Sequence, residues 1–144
     1  MSQPQTANET ERSLLHLVSK QHVFILESIN IIESAVREKD DNKYFDNFKH
    51  FNSLLEEHLL LEDEYLYPTL QNRPELDAAL LGTKYHDEMA GLGEALGEYS
   101  EKWDTAAALQ ADRDKFIDDT INLCGVIKER IEREENNLFP LLTP

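Results

Sequence analysis

The sequence predicts an all-α protein, an up-down-up-down antiparallel four-helix bundle. Three observations predict it. Apolar residues recur at helical spacing along four long stretches, with no competing strand pattern. Helix breakers are scarce, with 5 Gly and 5 Pro in 144 residues. The stretches are separated by short turn-forming clusters, which favours antiparallel neighbours.

The first stretch runs from about Glu11 to Lys39, with Leu15, Val18, Ile25, Ile29, Ile32 and Val36 on one stripe and His22 among them. Residues 1–10 read as a flexible tail, and 11–144 as one domain. Lys39-Asp40-Asp41-Asn42 interrupts the pattern and supplies a cap for the next helix. That second helix is expected from about Asn42 to Leu70, with Phe48, Phe51, Leu55 and Tyr65 on one face. Asn72-Arg73-Pro74 is a stop and restart, Pro74 suiting a first helical turn. The third helix, about Pro74 to Trp103, carries Tyr85, Met89, Leu92, Leu96 and Tyr99. Asp104-Thr105 caps a fourth, continuous to about Leu138, and Pro140 and Pro144 close the chain.

Composition narrows the function. Lys and Arg number 14 against 29 Asp and Glu, a net charge of −15. A chain this acidic repels nucleic-acid phosphates and anionic membrane surfaces. No apolar run approaches the roughly 20 residues of a membrane span. The first twenty residues lack a signal-peptide pattern, so a cytoplasmic protein is expected. One cysteine, Cys124, excludes an intramolecular disulfide and reads as a small buried apolar residue. No phosphate-binding glycine loop or nucleophile setting appears, so covalent catalysis has no support. Enzymatic turnover is not expected, although an oxidoreductase on a metal centre stays open.

An internal repeat carries the chemistry. Glu57–Leu70 set beside Glu129–Leu142, an offset of 72, aligns Glu62 with Glu134, Leu66 with Leu138, Tyr67 with Phe139 and Pro68 with Pro140. Helices two and four are then pseudo-equivalent, as are one and three, which makes His86 the rough counterpart of His22. His58 aligns with Arg130. His58 and Glu62, at i and i+4, leave one helical face one turn apart. Glu134 shares a stripe with Ile127, Ile131 and Leu138. Buried carboxylates are costly unless paired or metal-bound. With histidines on neighbouring helices, they match the carboxylate-bridged metal sites of bundle cores. Such a donor set suits iron, manganese or zinc. A solvated helix edge also accounts for His86, which lies beside Asp87 and Glu88. Tyr65, three residues past Glu62, is a candidate to reach the site with its hydroxyl, while His16 and His50 fall off it. The remaining tyrosines, Tyr67 included, read as core or end-packing aromatics.

These elements resemble the hemerythrin-like family of HHE cation-binding domains. Gln21-His22 is similar to the family's first-helix Gln-His. His58-x-x-x-Glu62 followed by Leu66-Tyr67-Pro68 is similar to its second-helix element. His86 in Lys84-Tyr85-His86-Asp87 looks like the third-helix histidine, and Glu134 with Leu138-Phe139-Pro140 like the fourth-helix carboxylate element. The resemblance spans roughly residues 11–142. It implies metal ligands His22, His58, Glu62, His86 and Glu134. It also implies a non-haem di-iron cofactor bridged by Glu62 and Glu134, and binding or sensing of oxygen, nitric oxide or iron. The partners it implies are a metal ion and a small diatomic ligand.

Two departures matter. Where the family sometimes has a second third-helix histidine, one turn from the first, this chain has Ala90 on one side and Gly82 on the other. The family's fourth helix has His four residues before its carboxylate, and this chain has Arg130. Arginine has no lone pair to donate and stays charged. One metal would keep His22, His58, Glu62 and Glu134, whereas a second would have His86 and shared carboxylates alone. Arg130 then replaces the second cation electrostatically, and the site holds one iron or none. The alternative function is a metal-poor regulatory or protein-interaction module on the same fold.

Overall fold

The computed structural model describes residues 5–141, and the helices pack as the expected all-α bundle. Helix α1 spans Gln5–Glu38, starting six residues before the expected Glu11. Residues 1–4 of the expected tail, and Leu142 and Pro144 at the other end, lie outside the described residues. Among the described residues, no helix is long and apolar enough to cross a membrane.

The first turn behaves as its polar cluster predicts. Lys39 adopts φ 60°, and the amides of Lys39 and Asp40 donate back to the carbonyls of Val36 and Ala35, at 3.2 and 3.0 Å. This left-handed closure satisfies the orphan carbonyls of the helix end. The Asp40 carboxylate accepts from the Lys43 amide at 3.1 Å and caps α2, Asp41–Leu61.

The second leg departs from a plain helix. After α2, Glu62–Leu66 forms a π-helical segment, and Tyr67–Gln71 resumes as the short α3. Pro74 precedes α4 rather than opening it; α4 spans Leu76–Lys102 with Glu75 at its N-cap position. Gly82 of α4 faces α3 so closely that a Cβ there would lie 2.8 Å from the Leu70 Cβ and 3.3 Å from the Tyr67 carbonyl. The absent side chain is what lets the two helices meet.

The fourth leg is segmented, not continuous. Thr105 caps α5, Ala106–Ala111, by accepting from the Ala108 amide at 3.1 Å. The backbone breaks at Asp112, and α6 runs Arg113–Arg133. A second π-helical segment, Glu134–Leu138, and a 3₁₀ turn, Phe139–Leu141, follow.

Two apolar clusters form the core. The larger includes Ile25, Ile29, Phe51, Leu55, Ile127 and Ile131; the smaller includes Val18, Leu66, Tyr67, Tyr85, Leu138 and Phe139. On each leg that supplies it, a buried polar group lies between residues of the two clusters: His22 between Val18 and Ile25, His58 and Glu62 between Leu55 and Leu66, Glu134 between Ile131 and Leu138. The fold therefore encloses a polar layer between two apolar ones.

Candidate metal centre

The two π-helical segments create the geometry of this layer. Each opens on a carboxylate, Glu62 or Glu134. In each, the amide five residues on, Tyr67 or Phe139, returns to that residue's carbonyl. The extra residue in the turn rotates everything beyond it, as π segments do at functional sites. Tyr67 thereby swings inward, and Tyr65, expected to approach Glu62, stands 57% exposed. The repeat seen in the sequence is a repeat of this device.

Four donors converge. One ligand atom from each of His22, His58, Glu62 and Glu134 lies within 4.8 Å of the others, and all four residues are buried. His22 Nε2 is 3.0 Å from Glu134 Oε1 and 4.0 Å from Glu62 Oε2, and His58 Nε2 is 3.2 Å from Glu62 Oε2. Each imidazole is held from behind. The Gln21 Oε1 accepts from His58 Nδ1 at 2.8 Å, and Glu135 Oε2 pairs with His22 Nδ1 at 2.6 Å. These outer contacts fix the ring orientation, leaving each Nε2 aimed at the carboxylates. Phe139 stacks on His22, ring centroids 5.7 Å apart and planes within 1° of parallel.

His86 is not brought into this group. Its side chain is 46% exposed, and its Nδ1 pairs with Asp63 Oδ1 at 2.7 Å. The core stripe of α4 runs through Gly82, Tyr85, Leu92 and Leu96. His86 follows Tyr85 by one residue, about 100° farther round the helix. His22 therefore has no buried counterpart on α4. His16 and His50 are exposed, and Cys124 is buried, as the sequence predicts.

Beside the two carboxylates lie Arg130 and Tyr67. The Tyr67 hydroxyl donates toward Glu134 Oε2 at 2.7 Å and Glu62 Oε1 at 3.2 Å. Arg130 Nη2 donates to the Tyr67 hydroxyl oxygen and, at 3.1 Å, to the Tyr85 carbonyl. Its guanidinium lies 5.8 and 5.7 Å from the Tyr67 and Tyr85 ring centroids, over both faces, and Nε is 3.9 Å from Glu134 Oε2. Tyr67, Glu135 and the Gln21 contact are the participants that helical periodicity missed. The π turn hid Tyr67, whose alignment with Phe139 ahead of two matched prolines was the available signal.

Electrostatics follow from burial and these contacts. Burial and the facing Glu62 push the Glu134 carboxyl up to about 7. Burial and the neighbouring His22 push His58 down to about 3, keeping it neutral. Burial opposes a charge on His22, but its bonds to Glu134 and Glu135 and the carboxylate charges outweigh it, leaving its pKa above 6.5. Burial and both carboxylates raise the Tyr67 phenol, so it remains a protonated donor. Burial also opposes charge on Arg130, yet Tyr67, Glu134 and Glu62 more than compensate and raise its pKa.

The donor set fits one metal ion. Buried Glu62 Oε2 has no hydrogen-bond partner, an expensive state for a carboxylate oxygen. Donors at about 2.0–2.2 Å from one ion lie no more than about 4.4 Å apart, so the cluster closes on an ion with small adjustments. A second such set of donors is lacking among the described residues. Tyr67→Phe is expected to lower stability by about 1–3 kcal/mol, since Glu134 and Arg130 each lose a buried partner. Urea unfolding of the metal-free variant checks this.

Compared with known protein families, residues 13–142 match the hemerythrin HHE cation-binding domain. Searches of curated proteins and of solved structures find no match. The match covers nearly the whole chain, including all four converging donors. The chain belongs to the hemerythrin HHE cation-binding domain family.

Proposed function

We propose that this chain holds a single iron ion between His22, His58, Glu62 and Glu134, and that the site binds a diatomic ligand, oxygen or nitric oxide. The observation carrying the single-metal reading is Arg130, a buried permanent cation over Tyr67 beside both carboxylates. It supplies the charge that a second metal would supply, without accepting ligands. Iron bound here would contribute redox chemistry and an open position for a small ligand.

The remaining roles belong to the chain. Glu135 and Gln21 orient the two imidazoles, and the neutral Tyr67 hydroxyl bridges Glu134, Glu62 and Arg130. Beside the donors is a small cavity lined by Leu55, His58, Glu62, Leu92, Arg130 and Glu134 among others. It has room for about one water-sized molecule. Its small size disfavours larger substrates, and Leu55, Leu59, Leu92, Ile127 and Ile131 give it an apolar side facing the ionisable groups.

Elemental analysis of protein purified without tag or chelator tests this, with anaerobic ferrous titration of the metal-free chain. About one iron per chain is expected, with new absorption bands when nitric oxide is added to the ferrous protein. Arg130→His is expected to raise the capacity toward two. Two irons in the unaltered chain, or no gain in Arg130→His, overturn the role given to Arg130. No iron even after reconstitution favours the second reading, a metal-free regulatory module, for which Arg130 already balances the buried carboxylates.

A further inference from the structure

Helix α1 presents a second stripe, opposite in character to its buried one. Leu17, Phe24 and Ile31 are 45%, 46% and 41% exposed. They are spaced seven residues apart, so they lie within about 20° of each other per step and form a seam roughly 21 Å long. Three large apolar side chains in heptad register on a solvent face need a reason that a lone exposed leucine does not.

The charges beside the seam say what fits it. Lys20 and Glu27 are exposed, lie on the same side of the seam and form no ion pair among the described residues. A two-fold axis at Phe24, running across the helix, sets Leu17 of one chain opposite Ile31 of another and Phe24 opposite Phe24. The same axis leaves Lys20 of one chain within one residue of level with Glu27 of the other, on the same side. The pattern is complementary to itself in antiparallel orientation, which is what an isologous interface requires. An unrelated acidic partner would meet Glu27 unfavourably, and a basic one Lys20.

We propose that α1 is a self-association face, pairing two copies of this chain antiparallel through Leu17, Phe24 and Ile31, with Lys20 and Glu27 fixing the register. The seam is one helix wide, so it belongs to the small, reversible class of interfaces. The proposal rests on the exposed face of α1 and is independent of whether the core holds a metal.

Sedimentation equilibrium at about 100 µM, where micromolar interfaces are populated, tests it. The unaltered chain should sediment at twice its 16.7 kDa mass. Phe24→Glu should sediment as a monomer. Lys20→Glu should weaken association at least about tenfold, by like-charge contacts at both ends of the seam. The exchange Lys20→Glu with Glu27→Lys should restore it. All these positions face solvent, so circular dichroism and thermal unfolding of the monomeric variants should match a dilute unaltered sample. A monomer at that concentration, a dimeric Phe24→Glu, or a Lys20→Glu chain of undiminished association overturns the proposal.

Discussion

Arg130→Met should lower the unfolding free energy of the metal-free protein by about 3–5 kcal/mol, the cost of removing one partner from a buried charge cluster. Arg130 is 5% exposed and stands between Tyr67, the Tyr85 carbonyl and Glu134. Methionine approximates the stem but leaves Glu62 and Glu134 facing each other with one hydroxyl between them. The Tyr85 carbonyl also loses the contact from Arg130. Urea unfolding at neutral pH reads the loss. Addition of ferrous iron should recover part of it, because a bound cation answers the same buried charge and stabilises the state that binds it. A loss below about 1 kcal/mol, the scale of a surface pair, would show that Arg130 is not balancing the carboxylates.

Glu62→Gln should separate binding from stability. If Glu62 ligates the metal as proposed, the change should cost more than the 10–100-fold in metal affinity typical of an outer-shell change. The metal-free fold should instead gain about 1–3 kcal/mol at pH 8, where the two carboxylates otherwise repel at short range. The pH window fixes the sign. Glu134 is raised to about 7 in the fold, above its ordinary 4.5. A carboxyl raised on folding adds stability while protonated, and that stability is lost as pH rises from about 4.5 through about 7. Near pH 5 Glu134 is protonated in the fold, so the repulsion that the substitution relieves is absent there. The gain from Glu62→Gln should therefore be small at pH 5 and large at pH 8. Equal gains at both would mean that the carboxylates do not share the layer as an opposed pair. Thermal or urea unfolding at the two pH values, with equilibrium ferrous binding alongside, measures both effects.

Both results depend on a polar layer that was only partly legible in the sequence. Helical periodicity places His22, His58 and Glu134 correctly, because α1, α2 and α6 are regular where those residues sit. The repeat identified Glu62 and Glu134 as equivalents, and each does open the same kind of segment. The substitution of Arg130 for histidine was likewise visible, since it needs only alignment of the two halves.

Beyond each carboxylate, a period of 3.6 fails. A five-residue turn costs the helix one position of phase, so Tyr65 goes out to solvent and Tyr67 goes in. Nothing local in Glu62–Leu66 announces this; the turn is sustained by the packing of Leu66, Tyr67, Leu138 and Phe139 in one apolar cluster. The break at Asp112 has the same character, a local interruption within a stretch of helical periodicity. His86 shows the complementary limit. A histidine near a core stripe is one residue from ligation or from solvent, and the rotation of α4 set by Tyr85, Leu92 and Leu96 puts it in solvent. Fold class, helix order and the burial of His22, His58, Glu62 and Glu134 follow from spacing, because spacing governs which face a regular helix buries. Which hydroxyl meets the carboxylates, and which histidine is left outside, follow from helix phase and rotation, and those are set by contacts between legs far apart in the chain.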